Sequence, residues 1–163
     1  MEFLLRSCAS EDADALGDIF YRAVHEGAAS RYTAEERAAW VSEVPRGAAW
    51  AAKLAASDCV VAESGGVLVG FMSRQGAHFD MAYVVPEIKG TGVAGVLCAV
   101  LEGRARAAGV TVMSVEASHL AEPFLARRGW QLLRRQVVER RGVRLANCVM
   151  EKQLIPDGLR KSA

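Results

Sequence analysis

Met81-Ala-Tyr-Val-Val-Pro-Glu-Ile-Lys-Gly-Thr-Gly-Val-Ala-Gly95 is the stretch on which the fold turns. An apolar strand runs through a proline into a glycine-rich turn, and the turn opens a helix at Gly90. Gly90, Gly92 and Gly95 leave the main chain bare where the first N–H groups of a helix have no partner, and the helix dipole adds partial positive charge. Lys89 brings a full charge to the same place. The chemistry that fits is an anion, above all a phosphate. A plainer role, turn formation and close packing of helix on sheet, would use the same glycines.

Working outward, residues 79–85 form the strand before the turn. The helix after it carries Val93, Val96, Leu97, Val100 and Leu101 on one face, has Arg104 and Arg106 in its last turn and stops at Gly109. Residues 110–116 read as a buried strand. With a helix between them, the two strands are expected to run parallel through a right-handed crossover. Ser118 caps a further helix that takes Pro123 early and ends at Gly129, and residues 130–139 and 143–152 close the chain as a hairpin. Upstream, residues 59–63 and 67–71 flank Gly65-Gly66, a hairpin turn pair. Residues 2–7 are a first strand. Ser10 is the expected cap of a helix with Leu16, Ile19, Phe20, Ala23 and Val24 at helical spacing, ending near Gly27. Thr33-Ala-Glu-Glu36 is a capping box that opens a short helix through Trp40, and Pro45 breaks the chain before an alanine-rich helix over residues 47–56. This order predicts an α/β fold, a mixed β-sheet flanked by helices on both faces.

The bulk properties fit one domain over residues 1–163, with 24% charged and 52% hydrophobic residues. A net charge of +1 provides no global field for nucleic acid or an anionic membrane. Arg127, Arg128, Arg134, Arg135, Arg140, Arg141 and Arg144 make the last third locally basic, and without a nucleic-acid motif they read as solvated faces. Cys8, Cys59, Cys98 and Cys148 have no C-x-x-C spacing and read as reduced thiols. His25, His78 and His119 share no ligand spacing, so no metal is expected. The N-terminus lacks a signal-peptide stretch, and no run approaches the roughly 18 apolar residues of a membrane span, so a cytoplasmic location is expected.

Gly90-Thr-Gly-Val-Ala-Gly95 also matches the dinucleotide fingerprint G-x-G-x-x-G, with Glu116 near the place of a ribose-binding acid. Against a dinucleotide-binding oxidoreductase, Pro86-Glu-Ile-Lys89 separates strand from fingerprint, and antiparallel hairpins lie on either side.

The residues resemble the GNAT N-acetyltransferase superfamily. Its pattern of an apolar strand, a proline and Q/R-x-x-G-x-G/A appears as Ala82-Tyr-Val-Val-Pro86 and Lys89-Gly-Thr-Gly-Val-Ala94, with lysine at the first position. Its second mark, A-x-x-F-Y-x-x-x-G-F, appears as Ala121-Glu-Pro-Phe-Leu-Ala-Arg-Arg-Gly-Trp130. Residues 25–40 are similar to a subgroup of small, single-domain bacterial members.

The resemblance implies an acetyl-CoA-dependent N-acetyltransferase in which an acceptor amine attacks the thioester directly in a ternary complex. The pyrophosphate would rest at Lys89, Gly90, Thr91, Gly92, Val93, Ala94 and Gly95. Ala82, Tyr83 and Val84 would face the pantetheine arm, and an N–H near Val84 would face the oxyanion. The acids nearest the expected crevice, Glu116 and Asp80, are candidate bases with His25 and His119, and Glu116 is the first choice. His25, Tyr32 and Trp40 are placed in the acceptor pocket, although packing explains Trp40 as well. The acceptor would be a small-molecule amine or a peptide amine. Nothing in the chain separates a monomer from a homodimer. Leu125 stands where the family keeps a proton-donating tyrosine and Leu120 where many members keep an asparagine, so a non-catalytic acyl-CoA-binding or sensing module is the main alternative.

Overall fold

The computed structural model describes residues 1–155. Its strands are β1 (Leu4–Ser7), β2 (Asp58–Ser64), β3 (Val67–Gln75), β4 (His78–Val84), β5 (Val112–Ala117), β6 (Gln131–Arg140) and β7 (Val143–Gln153). Its helices are α1 (Ala13–Arg22), α2 (Ala34–Trp40), α3 (Gly47–Ala55), α4 (Val93–Ala107) and α5 (Ala121–Arg127). The strands form one seven-stranded sheet in the order β1-β2-β3-β4-β5-β7-β6. Only β4 and β5 are parallel neighbours, as the intervening helix requires, and the other pairs are antiparallel. A dinucleotide-binding array would need repeated parallel units, which this sheet lacks.

Strand alternation divides the core between the two faces of the sheet. Val60 of β2 and Met72 of β3 pack with Val93, Leu97, Leu101 and Ala105 of α4 and Leu125 of α5. Their neighbours Val61 and Phe71 face the other way, onto Leu16 and Ile19 of α1 and Trp50 and Leu54 of α3. Helices therefore cover both faces. Among the described residues, no helix is long and apolar enough to cross a membrane.

Local chemistry corrects several expected boundaries. Ser10 is not the cap before α1, because its hydroxyl turns to Glu11. Asp12 stands before the helix instead, and its carboxylate reaches back to accept the Ala9 N–H at 2.7 Å and two bonds from Arg6, tying β1 to the turn that leads into α1. The Arg6 guanidinium holds the Asp12 carboxyl below the usual carboxylate range, against its burial. Past Arg22 the helix widens into a π turn over Ala23–Gly27. The Thr33 box forms as its spacing requires, with reciprocal bonds between Thr33 and Glu36 of 2.9 and 3.1 Å. Ser118 accepts the Ala121 N–H before α5 at 3.2 Å. α4 begins at Val93 rather than at Gly90, and Val96 is 41% exposed, so the buried stripe is narrower than the apolar count implies.

Two features position the site. At Asp80 the β3–β4 register slips, from Arg74↔Phe79 to Ser73↔Met81. The bulge reverses the pleat, so Phe79 packs on the α4 side and Met81 on the α1 side. Immediately before it, β4 stops pairing with β5, whose ladder with β4 is only His78↔Ser114 and Phe79↔Val115. β5 stays zipped to β7 from Val112 to Ala117. A gap therefore opens between the last residues of β4 and the end of β5.

Beneath α4 a buried carboxylate anchors the frame. Glu102 accepts from Trp130 Nε1 at 3.0 Å, Lys152 Nζ at 2.8 Å and the Cys98 thiol at 3.3 Å. Lys152 also donates to the Arg128 carbonyl at 2.7 Å. All four cysteines are free thiols, three of them buried and Cys8 half-buried.

Candidate functional site

The glycine-rich turn lies at the mouth of the gap. Pro86–Ile88 form a single 3-10 turn, and Gly90 and Gly92 follow with φ of +83° and +91°, backbone that a side chain resists. A Cβ added at either glycine would meet no atom within 4 Å, so the space over the turn is open. The first bond of α4 runs from the Val96 N–H to the Gly92 carbonyl. The N–H groups of Val93, Ala94 and Gly95 precede it and point out of the helix.

Two expected anion contacts are engaged elsewhere. The Thr91 N–H and hydroxyl both donate to the Ile88 carbonyl, at 3.2 and 2.6 Å, so Thr91 shapes the turn. Lys89 reaches the carbonyl of Gly27 at 3.2 Å and fastens the turn to the end of the π segment. A cation that the sequence reading assigned to solvent takes a place here. Arg128 lies over the Phe124 ring at 5.6 Å, and its guanidinium sits so close to Gly95 that an added Cβ would come within 3.1 Å. Its Nε is buried without a partner among the described residues. Two adjacent arginines after a helix carry no periodic signal, and only the packing of α5 against α4 selects one.

Along β4, the Val85 N–H donates to Val69 of β3 at 2.9 Å, and the Tyr83 carbonyl lies against Gly70 of β3. Main-chain groups alternate sides along a strand, so those of Ala82 and Val84 face the gap. Tyr83 is the exception among the three expected contacts. Its backbone serves β3, and its side chain enters the site instead.

That side chain begins an aromatic bridge across the gap on the α1–α2 side. Trp40 Nε1 donates to the Tyr83 hydroxyl at 3.2 Å. Trp40 meets Tyr32 edge-on at 5.4 Å, and Tyr32 stacks on His119 at 5.1 Å. The Tyr32 hydroxyl accepts the His119 N–H at 3.0 Å and donates to the Ala146 carbonyl at 3.1 Å, joining the turn before α2 to the segment after β5 and to β7. Burial pushes both tyrosine hydroxyls above their usual range.

Glu116 lies near the end of β5. Met113, Val115 and Ala117 of β5 pack toward α4, so Glu116 faces the α1–α2 side, exposed and without an ion pair to any described residue. Asn147 of β7 faces the same way, two residues from Val149, the partner of Glu116. Its amide oxygen is buried without a partner among the described residues. Nothing local in the sequence marks Asn147, because only strand pairing brings it beside Glu116.

The other three candidate bases have structural partners, His119 being the ring stacked on Tyr32. Asp80 is the bulge residue and lies 3.7 Å from Lys53 of α3. His25 stacks on Tyr21 at 4.2 Å, and its Nε2 meets the Val41 carbonyl at 2.7 Å, which steadies the end of α2. Leu125 is buried in the α4-side core and offers no proton. Among the described residues, no group of three or more His, Cys, Asp and Glu could hold a metal ion.

Comparison with known proteins agrees with this geometry. The model of the acetyltransferase (GNAT) domain matches residues 28–154. YafP of Escherichia coli strain K12, an uncharacterized N-acetyltransferase, is 34% identical over 146 residues, spanning 90% of this chain and 93% of that protein. A GCN5-related N-acetyltransferase of Rhodopseudomonas palustris superposes with a TM-score of 0.89 at 36% identity, over 94% of this chain and 97% of the other. The yncA structure of Salmonella typhimurium, solved with acetyl-CoA, has a TM-score of 0.72 at 19% identity over the full length of both chains, a likeness of fold alone. The chain belongs to the GNAT acetyltransferase family, as the glycine-rich turn and the Phe124–Gly129 mark imply.

Proposed function

We propose that this GNAT-family chain transfers an acetyl group from acetyl-CoA to an amine by direct attack in a ternary complex at the β4–β5 gap. The observation that carries the reading is the parting of β4 from β5 after Phe79, beside a helix capped by an open glycine turn. An amide-rich arm can lie along the free edge of β4 as an added strand, bonded to Ala82 and Val84. The bare space over Gly90 and Gly92 accommodates a diphosphate on the N–H groups of Val93, Ala94 and Gly95. Arg128 gives that site a fixed positive charge, and Lys89, exposed at the turn, gives a second within reach.

Acetyl-CoA supplies the activated thioester, and the residues contribute mainly orientation. The Val84 N–H, turned into the gap, is placed to stabilise negative charge that develops on the thioester oxygen. Glu116 takes the proton from the acceptor amine through a water molecule. Asn147 and the faces of Trp40 and Tyr83 hold that amine, and an aromatic wall favours a small cationic or aromatic one. Leu125 leaves the departing thiolate without a proton donor, which a thiol pKa of about 8.5 tolerates.

Mass spectrometry of the protein incubated with acetyl-CoA and mixed amines, including polyamines, amino acids, arylamines and peptide N-termini, tests the reading. The expected result is one acetylated amine class with matching CoA release. Binding of acetyl-CoA with no turnover across the whole panel would favour the non-catalytic module that Leu125 suggests. Glu116→Gln is expected to lower kcat by about 100-fold near neutral pH while leaving acetyl-CoA affinity unchanged. An unaltered kcat across the pH profile would remove Glu116 as the base.

A further inference from the structure

Two of the four thiols face each other on the far side of β3 from the gap. The β1–β2 ladder runs from Leu4↔Glu63 to Ser7↔Val60, and its next step sets Cys8 opposite Cys59, with the Cys8 N–H donating to the Cys59 carbonyl at 2.9 Å. Opposed residues of an antiparallel pair lie about 4.5 to 5.5 Å apart at Cα, within the roughly 4.4 to 6.8 Å that a disulfide spans. Both side chains pack toward Leu16, Trp50 and Leu54, and both line one cavity of about 370 Å³ between β1, β2, α1 and α3. Cys98 and Cys148 are separate, the first bonded to Glu102 and both buried in the α4-side core.

The pair is asymmetric in the way a reacting and a resolving thiol need to be. Cys8 is half-buried and Cys59 is 4% exposed. The Cys8 thiol donates to the Ala9 carbonyl at 3.4 Å, and its contact with the Cys59 thiol, helped by Arg6, holds it below the usual thiol range against burial, Asp12 and Glu11. The same contact, with burial, pushes Cys59 up.

We infer that Cys8 and Cys59 form an oxidisable dithiol, a modification site where hydrogen peroxide entering the cavity converts them to an intramolecular disulfide. The Cys8 thiol gives up its proton and the thiolate attacks one peroxide oxygen; the S–O bond forms as the O–O bond breaks, and the departing hydroxide takes up that proton, leaving a sulfenic acid and one water. The Cys59 thiol gives up its proton and attacks the Cys8 sulfur; the S–S bond forms, the S–O bond breaks and a second water leaves. Two thiols are oxidised by two electrons and one peroxide is reduced to two waters. The new bond ties together the ends of the segment that carries α1, α2 and α3, and its formation is independent of the acetyl-transfer reading.

The test treats the protein with hydrogen peroxide, alkylates it in denaturant and maps the peptides without reductant. The expected product is a Cys8–Cys59 cross-linked peptide pair with loss of two alkylatable thiols per chain, reversed by dithiothreitol, while Cys98 and Cys148 stay alkylatable. Cys98→Ser should leave the cross-link unchanged, and Cys59→Ser should leave Cys8 as a sulfenic acid that dimedone traps. Over-oxidation of wild-type Cys8 without a cross-link, a cross-link to any other cysteine, or retention of both thiols would overturn the inference. The wild-type map decides alone, so a Cys59→Ser protein that fails to fold does not blunt it.

Discussion

The two sides of the β4–β5 gap are made of different material. At the mouth, the turn from Gly90 into α4 presents main chain: N–H groups, two left-handed glycines and open space. Across the gap on the α1–α2 side, the surface consists of side chains from α2, β4, β5 and β7, held by bonds such as Trp40 to Tyr83 and Tyr32 to Ala146. A backbone site recognises a charge pattern that many side chains around it would leave intact. A side-chain site is rewritten by any one substitution, so the first suits a constant co-substrate and the second a variable acceptor.

Substitutions on each side test that division. The largest stability effect is expected beneath α4. Lys152→Met leaves the Glu102 carboxylate buried without its cation and the Arg128 carbonyl without its donor, at a cost of about 3 to 5 kcal/mol in denaturant unfolding. The pH dependence should change sign with it. Burial pushes the Glu102 carboxyl up, but its bonds to Lys152, Trp130 and Cys98 outweigh that and hold it below its ordinary value. In the wild type, the stability from Glu102 is therefore present above the unfolded carboxylate pKa and is lost as pH falls through the folded one. In the variant the unpaired carboxyl is raised, so its contribution should grow as pH falls.

Gly92→Glu puts bulk, negative charge and an unfavourable φ at the turn. Acetyl-CoA affinity by calorimetry should fall at least about 100-fold, equal to about 2.7 kcal/mol, whatever the acceptor. Retained affinity would place the diphosphate elsewhere and break the comparison. Tyr32→Phe acts on the opposite wall. It deprives the His119 N–H and the Ala146 carbonyl of their partner, a loss of about 2 kcal/mol in stability. The KM for the amine should rise while acetyl-CoA affinity stays the same. The smallest effect is expected from Thr33→Ala, which removes the cap of α2 for about 1 kcal/mol, read as a lower thermal midpoint with kcat for saturating substrates nearly intact.

Local rules made much of this fold legible. The Thr33 box, the Gly65-Gly66 hairpin, the parallel crossover around α4 and the stop at Gly129 all depend on neighbours a few residues apart, and all form. Distant contacts gave other residues partners that the local signal did not announce. Ser10 looked like a cap, but Arg6 holds Asp12 in the position that closes the turn. Lys89 stands exposed at the turn as its spacing implies, and it also reaches the Gly27 carbonyl. Asp80 looked like a crevice acid, but the bulge turns it toward Lys53. Arg128 and Asn147 gave no signal, since each acquires its place from an element packed against its own.

The sequence by itself determined the glycine-rich turn that opens α4, because glycines at a helix start dictate conformation through steric freedom and spacing within one short segment. The tertiary structure alone decided where β4 leaves β5, which aromatic rings bridge the opening, and that Glu116 and Asn147 share a face. The reason is physical: a side chain's partners across a sheet depend on register, and one extra residue at Asp80 moves every later side chain of β4 to the opposite face.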